Sequence, residues 1–187
     1  MKRKITSLAL VALLFTGSIS QIACGNGETL DKVGRYAVSL AKGFNDEVAA
    51  LKAAGLTGKK IDAAEAAGKK ISTAADSLSA ILQGAKTVNS HDAAVIAAYI
   101  STITTTISAL LQNPDFLGLG EGSTIVQVAK YTSVAALQIS LTLGVFFPPP
   151  VPGQVGVSSA ESKTVPASKI VIEFPEPPPA VKAILAR

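Results

Sequence analysis

The chain of 187 residues carries a formal charge of +4, and Lys2, Arg3 and Lys4 supply three of its 17 basic residues. Removing those three leaves 14 basic against 13 acidic side chains, and with no Trp and only 5% aromatic residues there is neither a basic field nor a stacking platform for nucleic acid. A single cysteine excludes any intrachain disulfide, so the fold must hold by packing alone.

Lys2, Arg3 and Lys4 form a positive n-region, Leu8 to Phe15 an apolar h-region, and Ser18-Ile-Ser-Gln-Ile-Ala23 leads to Cys24 through mostly small or apolar residues. This is the layout of an export signal. With its lone thiol at the end, the segment resembles the precursor of a bacterial lipoprotein. Ala23 and Ile22 match the pattern before the acceptor cysteine, while Gln21 stands where an aliphatic residue is usual. The resemblance implies cleavage before Cys24, attachment of fatty-acyl chains such as palmitate at its sulfur, and a membrane partner reached through that lipid. Gly25, in place of Asp, is similar to the subset sorted to the outer membrane in hosts that have two. Two alternatives stay open: ordinary secretion, with a cut after Ser20 or near Gly25, and an uncleaved anchor. Ile5 to Ala23 is uncharged throughout, close to the ~20 residues a span needs.

A helical register opens at Glu28. Leu30, Val33, Ala37, Leu40, Phe44, Val48 and Leu51 recur at spacings of three and four, with charged residues between them, and Gly55 closes the run. A second stripe follows: Ile61, Ala64, Gly68, Ile71, Ala75, Leu78, Leu82 and Ala85. Within it Gly58-Lys-Lys-Ile61 is echoed by Gly68-Lys-Lys-Ile71, so both Lys pairs face roughly the same way. They read as a solvated face with Asp62, Glu65 and Asp76 as partners, or as a basic strip for anionic headgroups. Asn89 or Ser90 caps a third helix, uncharged from Ala93 to Asn113-Pro114. After Gly118-Leu-Gly-Glu-Gly122 and a cap at Ser123 or Thr124, a fourth segment runs to Phe147 with Lys130 as its only charge. Leu137, Ile139, Leu141, Leu143 and Val145 alternate with polar or small residues as a strand would, but the length of the uncharged run favours helix.

Nine of the ten prolines lie after Phe147. Pro148, Pro149 and Pro150 end the helical part, because each removes a backbone donor. Beyond a Ser, Val, Gly and Pro linker, Lys169–Phe174 reads as a short extended segment, and Ala180–Arg187 as a helical turn or two. That tail holds too many apolar residues for a spacer. Either it docks on the helices of its own chain or it offers an extended edge to another protein.

The expected fold class is all-α: an antiparallel four-helix bundle with an extended Pro-rich C-terminal tail. Residues 1–23 are the export signal, 24–27 the linker to the lipid anchor, 28–147 the helical domain with helices at 28–54, 57–88, 91–112 and 122–146, and 148–187 the tail. The core is expected to contain Leu40, Phe44, Ile71, Leu78, Ile100, Ile103, Ile107, Val128, Ile139 and Leu143.

No chemistry assembles from these residues. His91 and Cys24 are each unique, so no zinc set forms, and His91 beside Asp92 at a helix start reads as a capping or exposed residue. Gly118, Gly120 and Gly122 lack the Lys of a phosphate loop, and Glu121 would repel an anion. The expected function is therefore a lipid-anchored envelope protein that binds or scaffolds without catalysis, with no cofactor, and with an envelope protein or the cell wall as partner. The alternative is a membrane-active protein that inserts the apolar hairpin 93–147. The only site residue is Cys24, for lipid attachment.

Overall fold

The computed structural model describes residues 28–148 and 163–186. The signal 1–23, Cys24, the rest of the linker 24–27 and the Pro-rich stretch 149–162 lie outside the described residues.

The fold is all-α in class. A two-residue strand β1 (Glu28–Thr29) leads into α1 (Leu30–Ala53), followed by α2 (Lys59–Leu82), β2 (Thr87–Val88), α3 (Ser90–Leu111), a single turn α4 (Pro114–Leu117) and α5 (Thr124–Phe146). The C-terminal segment adds β3 (Val165–Pro166), a 3-10 turn (Ala167–Lys169), β4 (Val171–Ile172) and α6 (Pro179–Leu185).

Local chemistry explains where the helices begin and stop. At the end of α1, Gly55 takes φ 86°, its N–H donates to the Lys52 carbonyl and that of Leu56 to the Leu51 carbonyl. These two bonds make a Schellman motif that satisfies carbonyls the helix leaves open. The start of α3 is a full capping box: the Asn89 side chain accepts from the Asp92 N–H at 2.9 Å, and the Asp92 carboxylate accepts from the Asn89 N–H at 3.1 Å. The second helix stops at Leu82, short of the expected Val88, because Gln83 turns extended and Gly84 takes φ 70°. That turn delivers Val88 to the core as part of a strand.

The alternating stretch 137–145 is helical throughout. Residues two apart lie about 200° apart around a helix, so an alternating apolar pattern splits into two opposite stripes. Ile139 and Leu143 face inward and are buried, while Leu137, Leu141 and Val145 face outward. Thr102 and Thr104 on α3 donate their hydroxyls to the carbonyls of Ala98 and Ile100, four residues back. A helix side without charge thus still satisfies its polar groups.

The long helices pack α1 on α2, α2 on α3, α3 on α5, and α1 on α5. Approach is closest where residues are small. A Cβ added at Gly34 of α1 would lie 3.0 Å from the Ser79 Cα of α2. Two apolar clusters fill the interior. One joins Leu40 to Val48 of α1 to Ile61 to Ala75 of α2, the end of α3, Phe116 of α4 and the first half of α5. The other joins Leu30 and Val33 to Leu78, Leu82, Ile96, Ile139 and Leu143. All ten residues expected in the core are buried.

The C-terminal segment docks on its own chain. β4 pairs antiparallel with β1 (Glu28 with Ile172, Thr29 with Val171), and β3 with β2 (Thr87 with Pro166, Val88 with Val165). Val165, Ala167, Ile170 and Ile172 enter the second cluster, Val181 and Ile184 the first. Helix α6 rests on α1 and α5, where Gly43 leaves room for Ile184 that any Cβ would take.

Candidate functional site

Where the C-terminal segment crosses α1 and α5, the described residues bring three aromatic rings together. Tyr36 of α1 stacks on Phe174, with centroids 4.9 Å apart and planes 10° from parallel. Tyr131 of α5 tilts against Tyr36 at 6.3 Å and 59°. The Tyr131 hydroxyl donates its one hydrogen to the Pro175 carbonyl at 2.8 Å, so in the 2.7 Å contact between the two phenols Tyr36 is the donor. Burial, with the Tyr36 hydrogen bond added, pushes the Tyr131 phenol well above its usual range.

That shift has a testable sign. Burial favours the neutral phenol, so its contribution is complete below about pH 10, where an unfolded tyrosine begins to ionise. It falls as pH rises further, by roughly 1.4 kcal/mol per unit, because the unfolded chain releases its proton first. Tyr131→Phe is expected to cost about 1–2 kcal/mol at pH 7 through the lost hydrogen bonds and to flatten the alkaline fall. Urea midpoints at pH 7 and pH 11 check it, and an equally steep fall in the variant refutes it.

Beside this aromatic seal lies a void of about 20 Å³, bordered by Val33, Leu40, Ile71, Ile100, Ile139 and Thr132, among others. That is room for one water at most. The Thr132 hydroxyl already donates to the Val128 carbonyl at 2.8 Å, so no polar group asks for a ligand there. The void is a packing gap between the two clusters.

The sequence-singled residues are not brought together. Cys24 lies outside the described residues. His91 is exposed at the start of α3, and the adjacent Asp92 carboxylate is engaged in the capping box. In the glycine-rich loop, the Ser123 hydroxyl donates to the Gly120 carbonyl, Gln127 Nε2 to the Gly122 carbonyl, and Glu121 pairs with Lys130 at 3.3 Å. These bonds tie the loop to itself and to α5. Of the Lys pairs, Lys69 lies 3.6 Å from Glu65, which also takes the Lys52 ammonium of α1 at 2.8 Å. The Lys52 hydrogen bond and charge hold the Glu65 carboxyl below its usual range and raise Lys52 in return. Lys69 and Lys70 also border an open groove with Tyr99 and Thr102. Among the described residues no group of three or more His, Cys, Asp or Glu is placed to hold a metal ion.

Charge divides the surface more sharply than any pocket does. Helices α1 and α2 carry seven charged residues each, α3 and α5 one each, Asp92 and Lys130. Both α3 and α5 are long and apolar enough to cross a membrane by length and composition, and only 28% and 39% of their apolar windows are buried. The outward stripe of α5 is open to solvent: Leu137 is 47% exposed, Leu141 56% and Val145 76%.

No family model, no curated protein and no solved structure matches this chain.

Proposed function

We propose that the chain is a lipid-anchored cell-envelope protein that acts by binding or scaffolding and performs no catalysis. Residues 1–23 serve as the export signal, and 24–27 link the acylated Cys24 to the fold. Residues 28–147 form an antiparallel four-helix bundle, and 148–187 its Pro-rich tail. The pairing of each helix with its neighbours and the end-to-end composition of the two clusters support that architecture. The observation that carries the functional reading is the sole cysteine, which ends a charged and then apolar leader only four residues before β1. The protein then sits at the cell membrane or outer membrane, facing the periplasm or the exterior, and meets an envelope protein or the cell wall.

Intact mass of the protein purified from bacterial membranes tests this. The expected product begins at Cys24 and carries two or more acyl chains, since one chain alone binds membranes only marginally. An unmodified N-terminus at Gln21 or Asn26 would overturn the anchor.

A second reading has its own observation, the apolar length and incomplete burial of α3 and α5. In it, residues 93–147 insert as a hairpin. Insertion would strip Leu40, Phe44, Ile71 and Leu78 of the partners that bury them, which is why the anchored reading is preferred. A Cys24→Ser variant tests the two: release into the soluble fraction favours the lipid anchor, while retention points to the hairpin or to an uncleaved signal, which the intact mass of the variant tells apart.

A further inference from the structure

We propose that the stripe Leu137, Leu141 and Val145 on α5 is the face on which the anchored protein lies against the bilayer. The inference rests on the lipid-anchor reading and adds an orientation to it.

The first ground is the stripe itself. Three aliphatic side chains repeat every four residues on one side of α5, and exposure climbs from 47% to 56% to 76% toward the helix C-terminus. From Tyr131 to its end at Phe146 α5 carries no charge, and its neighbour α3 carries none after Asp92. A soluble surface of this size normally mixes in Lys and Glu, as α1 and α2 do here.

The second ground is where the chain begins. Glu28 pairs with Ile172 in β4, and β4 packs on both α1 and α5. Ile172 shares the second cluster with Leu143, and Phe146 and Phe147 pack against that cluster. The chain therefore enters the fold at the same end as the most exposed part of the stripe. Three residues lie between Cys24 and Glu28, and the four steps from one Cα to the other span at most about 14 Å. A sulfur held in the membrane by acyl chains keeps that end of α5 within one short tether of the lipid.

The third ground is energetic scale. Three half-exposed aliphatic side chains gain too little to hold a free protein on a membrane, at ~0.8 kcal/mol per buried methylene. On a tethered protein the contact is intramolecular, so a weak preference suffices to choose which face turns to the bilayer. The charged helices α1 and α2 then face water, where a binding partner would meet them.

The chain has no tryptophan, so one introduced ring reports its own surroundings. The mature chain 24–187, which contains every described element, is coupled through its only thiol to a maleimide lipid in phosphatidylethanolamine–phosphatidylglycerol vesicles. Leu141→Trp is compared with Ala66→Trp, at an exposed position on charged α2. Val145→Trp replaces the first should circular dichroism show it misfolded. The expected result is solvent-type emission from the free Leu141→Trp protein, a blue shift on tethering, and quenching by lipids brominated high in the acyl chain several-fold stronger than for Ala66→Trp. Unchanged emission on tethering overturns the proposal. So does emission already blue-shifted in the free protein, which would mean that residues 149–162 or a second copy cover the stripe. A shift without bromolipid quenching also overturns it, in favour of a neighbouring copy on the vesicle. Because the tether is supplied chemically, failure here is distinct from failure of natural acylation, which intact mass reads.

Discussion

Deleting Ala167–Arg187 is expected to lower the melting temperature of the remaining chain by at least roughly 6–12 °C. The deletion takes Ile170, Ile172, Val181 and Ile184 out of the two clusters. Burial of such side chains gains about 1.5–3 kcal/mol each before chain entropy is counted. Ordering the segment costs backbone and side-chain freedom and offsets much of that. A net loss of only about 3 kcal/mol already gives the stated shift for a domain of this size. The deletion also takes Ile172 from the cluster it shares with Leu30 and Val33, leaves β1 without its pairing strand, and opens the seat at Gly43. Thermal unfolding followed by circular dichroism reads the result directly. An unchanged melting temperature would show that the docked segment contributes nothing to the fold.

Phe44→Ala is expected to cost about 3–5 kcal/mol in urea unfolding at neutral pH. Phe44 is 2% exposed, at the centre of the first cluster. Its ring lies against Gly68 of α2, and Ala64 and Ala67 share the cluster with it. The size of such a loss depends on how far the surroundings collapse into the space left behind. Glycine and alanine have no length to extend into it, and the helices already approach closely at Gly34 and Ser79. The void therefore persists, which places the expectation in the upper part of the range. A cost under about 1 kcal/mol would mean the ring is not part of the packed interior.

The long helices were readable because their apolar residues repeat at three and four, and because their ends carry local chemistry in Gly55 and in Asn89 with Asp92. The same local reasoning missed what has no local signal. Helix α4 is a single turn, too short for periodicity, although Asn113 and Pro114 are a cap followed by a favoured first helical residue. It places Phe116 fully inside. The two small strand pairs join residues remote in sequence, and nothing in Thr87 or Glu28 names its partner. Tyr36 and Tyr131 escaped notice for the same reason, since only the packing of α1, α5 and the C-terminal segment brings them within hydrogen-bond reach of each other. The alternation at 137–145 is strand-like taken alone, and the length of the uncharged run rightly outweighs it: the stretch is a helix whose apolar residues form two stripes, one buried and one exposed. The reading of Cys24 rests on its leader in the sequence alone, because Cys24 lies outside the described residues.

The pairing of β1 with β4 also sets the order in which the molecule can be finished. Helices α1, α2 and α3 can meet as soon as they are made, since each packs on its neighbour in sequence. The strand that opens the fold must wait for a residue close to the opposite end of the chain. Contacts of such long span are the slow ones, because a large loop must close before they return anything. During synthesis that pairing is therefore missing until Val171 and Ile172 have emerged. Were the chain exported as proposed above, the pairing of β1 with β4 would close only after Val171 and Ile172 had crossed, so the complete fold would form on the far side.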